Sequence, residues 1–209
     1  KAGLALEVDQ LALSAGPWTI SDDDGPLIAS QSLVMAMVRQ DQPETYKFDV
    51  TAGDFELGTR MRSLLQSSDT LPPEFQALNL DMMVRFDRPW DRTSLESRRP
   101  QPRQIDLKLA EGQWGELRLF ATGNLAVNTQ GIPSGVLAIK AENWRGMLQM
   151  AQASGAFPEQ LLGPAESVLS LLSGLGGNSN SLDIKLKFEN GSVSIGPLPI
   201  GPAPRIILR

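Results

Sequence analysis

Alternation is the feature that most constrains this chain. In segment after segment, apolar side chains recur at every second position, the spacing of a β-strand with one buried face. Leu182, Ile184, Leu186 and Phe188 stand opposite Asp183, Lys185 and Lys187. Leu80, Met82, Val84 and Phe86 share one side, with Asp81, Arg85 and Asp87 on the other. Tyr46, Phe48 and Val50 repeat the pattern, as do Ile105, Leu107 and Leu109, and Leu117 with Leu119. Leu27 to Val38 is a long candidate strand, and Leu4, Leu6 and Val8 alternate before a phase slip to Leu11 and Leu13. Such a chain is expected to form antiparallel sheet with one apolar and one polar side.

Turn chemistry punctuates the strands. Asn190-Gly191 favours a type I′ turn, because both central residues need φ > 0. A two-residue loop there pairs Phe188 with Val193 and Leu186 with Ile195, all on one buried face. Asp22 to Pro26 reads as a turn, and Ala52-Gly53-Asp54 reads as a second one leading into Phe55-Glu56-Leu57. The run from Gly196 to Pro204 contains four Pro and cannot be a central strand. It is expected to be extended and polyproline-like, crossing a sheet edge before Arg205 to Leu208.

Two segments read as helix. Asn143 caps a stripe of Trp144, Met147, Leu148 and Ala151. Pro158 opens another with Leu161, Leu162, Ala165, Val168, Leu169 and Leu172, which Gly163-Pro164 is expected to break or restart. Gly174 to Ser181 ends it in a flexible loop, and a shorter helix is a candidate around Arg60 to Gln66.

Composition removes whole chemistries. The 209 residues include no Cys and no His. Disulfides, thiolate nucleophiles and thiolate metal sites are therefore excluded, together with Ser–His–Asp and Cys–His catalysis. The net charge of −5 is uneven: residues 1–80 carry −7, residues 81–108 carry +2, and the remainder is balanced. A duplex-binding protein needs a dense basic face, so nucleic acid is not an expected partner. No apolar run reaches the length of roughly 18 residues that a spanning helix needs. The first residue is Lys1, from which an upstream start, cleaved signal or anchor is expected.

Three constellations have a chemical reading. Asp22-Asp23-Asp24 has the composition of a calcium loop without its alternate spacing or its distant closing Glu, and reads as a solvated turn. Arg85, Arg88, Arg92, Arg98, Arg99 and Arg103 surround Trp90, a set suited to phosphate or carboxylate groups, including lipid headgroups. The alternative is a solvated loop whose charges pair with Asp81, Asp87, Asp91 and Glu96. The Leu-rich segment at 158–173 has no basic residue between Arg145 and Lys185, so core packing is preferred over a membrane surface.

The closing run also carries a resemblance. An Asn-Gly hairpin followed by Gly196-Pro197-Leu198-Pro199-Ile200-Gly201-Pro202-Ala203-Pro204 resembles the C-terminus of an uncharacterised alphaproteobacterial family, domain of unknown function 2125. Leu71-Pro72-Pro73 to Trp90, and Gly123 to Trp144 leading into a helix, are similar to that family too. The resemblance implies a periplasmic envelope protein, membrane-anchored through a segment upstream of this chain. It transfers no catalytic residue. Strand-rich units followed by short helices also resemble, in architecture alone, envelope proteins of the AsmA type, which form apolar lipid-handling grooves.

These readings predict an α+β, β-rich fold: long, curved, mainly antiparallel sheet with two or three short helices packed on one face. Residues 1–209 are expected to form a single domain with a Pro/Arg-rich loop at 87–104. The expected function is a non-catalytic cell-envelope binding or scaffold domain for lipid or another apolar ligand. The alternative is a protein–protein interaction module in envelope assembly with no small ligand, and a carboxylate-based hydrolase ranks third. An apolar groove or lid is expected from Trp144, Met147, Leu161, Val168, Leu169 and Leu172, and an anionic group is expected to meet Arg85, Arg88 and Arg92. No catalytic residue, metal ligand or cofactor is expected.

Overall fold

A computed structural model describes residues 6–22, 25–57, 74–96, 98–153, 159–175 and 178–208. All of its strands belong to one eleven-stranded sheet. In chain order they are β1 (Gln10–Ala15), β2 (Trp18–Asp22), β3 (Gly25–Arg39), β4 (Thr45–Leu57), β5 (Glu74–Phe86), β6 (Pro102–Trp114), β7 (Leu117–Val127), β8 (Pro133–Glu142), β9 (Ser181–Glu189), β10 (Ser192–Ile195) and β11 (Leu198–Pro202). From β3 to β11 each strand pairs antiparallel with the next in sequence. β1 and β2 both lie against β3, along different parts of its length. The fold is thus β-rich and antiparallel, as the alternation requires. The helices are a single turn, α1 (Thr93–Glu96), and two longer ones, α2 (Trp144–Ala153) and α3 (Glu159–Leu175).

The Asn190-Gly191 hairpin forms in the expected register, with Val193 opposite Phe188 and Ile195 opposite Leu186. Its central residues have φ of 52° and 76°. Phe188 and Val193 are buried, while Leu186 and Ile195 are half-buried.

Four local expectations change. Ala52-Gly53-Asp54 does not turn the chain: β4 runs on to Leu57, with Gly53 opposite Ser32 and Phe55 opposite Ser30. Asp54 takes a φ of 47°, which Asp tolerates, so one residue absorbs the kink. The Ser30 hydroxyl donates to the Gly53 C=O at 2.7 Å and holds the ladder together there.

On β6, Leu109 does not share a face with Ile105 and Leu107. Met82 lies opposite Leu107 but Asp81 lies opposite Leu109, so Lys108 is an extra residue, a β-bulge. The same shift shows against β7 between Leu107 and Ala110. Ala110 therefore takes the apolar side, and the new phase brings Trp114, 3% exposed, onto it as well.

The Gly-Pro run, expected to be polyproline-like across a sheet edge, pairs as the edge strand β11. Pro199 and Pro202 lie opposite Ser194 and Ser192 on an edge strand, where a missing N–H costs no ladder bond on the open side. Finally, α3 is continuous through Gly163-Pro164. Gly163 lacks the Cβ that makes the helical conformation unfavourable before a proline, so the helix passes residue 164 at the loss of one intrahelical donor. The candidate helix at 60–66 lies outside the described residues, as do Leu4, Asp23 and Asp24.

Gly123 and Gly135 lock β7 to β8. Their φ values are 145° and 142°. A Cβ on Gly135 would sit 2.1 Å from the Asn124 carbonyl oxygen. Gly135→Ala is expected to cost about 1–3 kcal/mol, read as a lower urea midpoint with an unchanged slope.

Candidate functional site

Residues directly opposite one another in an antiparallel ladder share a face. Following that rule from β4 to β9 defines two adjacent rows. One runs Phe48, Met82, Leu107, Gly123, Leu137, Leu186. The other runs Val50, Leu80, Ala110, Ala121, Ile139, Ile184. No polar side chain interrupts either row, and every member is half-buried. At a strand spacing near 4.8 Å the band is roughly 24 Å long.

The opposite face carries charge: Lys47 pairs with Asp49 at 3.1 Å and Asp81 at 3.7 Å, Lys140 with Glu142 at 3.1 Å, and Lys187 with Glu189 at 2.7 Å. These pairs keep that side in water. Hydrogen bonding to Asp49 holds the Lys47 ammonium above its usual pKa.

One flank of the band is closed and the other is closed in part, by different means. On one flank Met37, Tyr46, Val84 and Phe86 form a buried cluster against which Val8 and Trp90 pack. Phe86 meets Trp90 edge-on at 5.6 Å, and the Trp90 N–H donates to the Tyr46 hydroxyl at 2.9 Å. Burial pushes the Tyr46 phenol up. The Pro/Arg-rich loop, ending where β6 begins at Pro102, thus acts as a plug. Hydrogen bonds from the Thr93 hydroxyl and from Ser94 hold the Asp91 carboxyl below its usual range and fix the turn into α1. Further along the same flank, Leu125, Phe188 and Val193 are covered by Ile200, Ala203 and Ile206. The C-terminal chain crosses back there, with the Ile206 N–H donating to the Gly131 C=O at 2.8 Å.

The helices close the other flank at β8 and β9. Ala141, Trp144 and Leu182 form a buried cluster, with Met147, Leu148, Leu169 and Ile184 packed on it. Asn143 has a φ of 57° and its C=O accepts from the Met147 N–H at 3.3 Å, which starts α2. The Ser179 C=O accepts from both Trp144 Nε1 (3.2 Å) and Arg145 Nη1 (2.7 Å). The described part of the loop after α3 is therefore tied to α2. Farther from the helices this flank stays open: Leu78 is 41% exposed and Leu119 43%.

The expected groove residues divide. Trp144, Met147 and Leu169 meet in the helix cluster. Val168 points away and is 39% exposed. The side chains of Leu161 and Leu172 lie outside the described residues. The expected arginines divide too. Arg85 lines an open depression of about 510 Å³ with Gln40, Asp41, Gln42, Thr45 and Asp106. Arg92 pairs with Glu96 at 3.4 Å in solvent. Arg88 is half-buried, and its Nε and Nη2 find no hydrogen-bond partner among the described residues. Arg98 and Arg103 both pair with Asp87. Among these described contacts no two of Arg85, Arg88 and Arg92 share a partner.

Alternation pointed to Phe48, Val50, Leu80, Met82, Leu107, Ile184 and Leu186. It missed Ala110, Ala121 and Gly123, because small residues carry little signal and the bulge at Lys108 also shifts the phase of Ala110, and Leu137 and Ile139 were not singled out. Gly123 and Gly135 inside strand patterns were the available clue to a close approach there.

The structure thus defines a β-rich domain built on a single antiparallel sheet, with one charged face and one partly covered apolar face. The chain belongs to the family of domain of unknown function 2125 (DUF2125), described as "Uncharacterized protein conserved in bacteria", whose model matches residues 2–204. No curated protein matches it.

The two sides of α3 are expected to differ in stability. Leu169→Ala removes packing against Trp144 and should cost about 2 kcal/mol. Val168→Ala should stay within about 0.5 kcal/mol of the original protein. Thermal unfolding of the two variants side by side checks this.

Proposed function

We propose that the chain is a non-catalytic binding domain of the cell envelope whose ligand is apolar or amphipathic, a lipid in the first instance. The observation that carries the proposal is the pair of half-buried apolar rows from β4 to β9. A contiguous apolar surface of this extent is unusual on a monomer and marks a place where something is bound. In this reading the sheet curves so that the rows line a concave trough. Two things support curvature. An open sheet of eleven strands tends to curl. The bulge at Lys108 and register shifts in other strand pairs bend strands locally. An acyl chain laid along the rows would run across the strands, over the side-chain-poor stretch at Ala110, Ala121 and Gly123.

Location in the periplasm and attachment to a membrane, which the family resemblance implies, belong to the same proposal. Among the described residues no helix is long and apolar enough to cross a membrane.

A second reading has its own observation. Leu171 on α3 is 68% exposed, beside the exposed Val168. That outer side of the helix suits a protein partner in envelope assembly, with no small ligand involved.

The deciding experiment is native mass spectrometry of the purified chain, followed by titration of the delipidated protein with a fluorescent fatty acid. Bound lipid and micromolar affinity are expected. Leu80→Gln and Leu107→Gln each place an amide in the rows and are expected to weaken binding at least about tenfold, near 1.4 kcal/mol, with little change in circular dichroism. Failure of the delipidated protein to bind fatty acid or phospholipid at micromolar concentration overturns the lipid reading.

A further inference from the structure

The two edges of the sheet are finished differently. At one, β11 contains Pro199 and Pro202, and the chain beyond it is pinned by hydrogen bonds from the Ala203 N–H to Gly191 and from the Ile206 N–H to Gly131. At the other, β1 reads Gln-Leu-Ala-Leu-Ser-Ala, with no Pro and no charge, and it is exposed from Gln10 to Ser14. Leu11 and Leu13 are 44% and 45% exposed. Natural edges are usually blocked by Pro, Lys or an inward-pointing charge, because unpaired N–H and C=O groups recruit another strand.

The backbone phase of β1 follows from one bond. The Arg39 N–H donates to the Asp9 C=O at 2.8 Å, which makes Asp9 and Arg39 a hydrogen-bonded pair of the ladder. The register continues as Leu11 with Met37 and Leu13 with Met35. Hydrogen-bonded and non-bonded pairs alternate, so Leu11, Leu13 and Ala15 direct their backbone groups to β3. Gln10, Ala12 and Ser14 direct theirs outward.

That outward set is self-complementary. A two-fold axis through Ala12 puts Ala12 opposite Ala12 of the partner subunit and Gln10 opposite the partner subunit's Ser14. Every outward N–H and C=O from Gln10 to Ser14 then has a partner. In the same register Leu11 lies beside the partner's Leu13 on the apolar side, and no charge faces a like charge.

We propose that β1 is a homodimerisation edge, joining two copies by antiparallel β1–β1 pairing centred on Ala12. The two-fold axis stands perpendicular to the sheet, so the apolar faces of both copies lie on the same side of one continuous sheet. This inference does not depend on the ligand reading.

Sedimentation velocity of the full chain at micromolar concentrations is expected to show a reversible dimer. Ala12 is exposed and its N–H lies outside the β1–β3 ladder, so Ala12→Asp and Ala12→Lys should each keep the original circular dichroism and melting. Each puts two like charges face to face at the axis and should be monomeric, whereas an equal mixture of the two should dimerise again. A third variant reads proximity directly: the chain has no native Cys, so spin-labelled Ala12→Cys should give one short label-to-label distance. A monomeric original protein, a dimer that survives both charged variants, a mixture that fails to associate, or a long label distance would each overturn the proposal.

Discussion

Phase is the constraint on which everything else in this molecule rests. Eleven strands in one sheet can share an apolar face only if every ladder keeps the same parity from edge to edge. A slip of one residue would turn a whole strand's apolar set into water. The bulge at Lys108 shows how the parity is kept. Ile105 and Leu107 are in phase with Met82 and Val84, but a strict alternation would carry Trp114 to the charged side. One extra residue resets the count, and Trp114 and Leu117 are both buried as a result. The cost is one unpaired residue, and Lys108 is exposed, so its polar groups stay in water.

With parity kept, the apolar face must be covered, and two helices of moderate length cannot cover eleven strands. The chain uses three unrelated devices instead. An aromatic plug of Tyr46, Phe86 and Trp90 closes the strands β4 and β5 at one end. The C-terminal residues fold back over Leu125 and Phe188. α2 and α3 cover Ala141 and Leu182 at the opposite end. Each device sits at strand ends and touches the middle rows only at their margins: Phe48 and Met82 pack on the first cluster, Leu137 and Leu186 on the second, and Ile184 on the third. Coverage is concentrated where a sheet frays most readily, and the central band keeps its partial exposure.

Much of the fold was legible in the sequence, and the reasons for the exceptions are physical. The hairpin at Asn190-Gly191 was legible because its turn type depends on two adjacent residues and its register follows from loop length. The strands around Leu80 and Leu182 were legible because their alternation is uninterrupted. Asp54 was misread because a residue with φ of 47° has the same local signature whether the chain reverses or merely kinks. The neighbouring strands on both sides decide that, and they lie far away in sequence. The Pro-rich segment was read as unfit for a central strand and polyproline-like along a sheet edge; it pairs as the edge strand itself, which needs donors on one side alone. The candidate arginines were grouped because they are close in sequence. In the structure, strand alternation sends Arg85 to the charged face, and the loop sends Arg92 to Glu96. The part of the site that mattered most, two rows running across six strands, is perpendicular to the chain. Periodicity along one strand reports its face but not which residues of other strands lie beside it.

The strand order has a consequence for how the molecule is made. From β3 onward, spatial order is sequence order. Nearly every ladder therefore closes through a connection between consecutive strands, and the entropy of loop closure is spent in small steps. Sheet proteins usually fold slowly because distant segments must meet before any pairing is rewarded. Here a growing sheet can add one strand at a time, each new strand finding its template already in place. β1 is the exception, since it pairs with β3 and not with the next strand, β2. A strand order of this kind lets contacts form less as in a sandwich than as in a zipper, tooth after tooth.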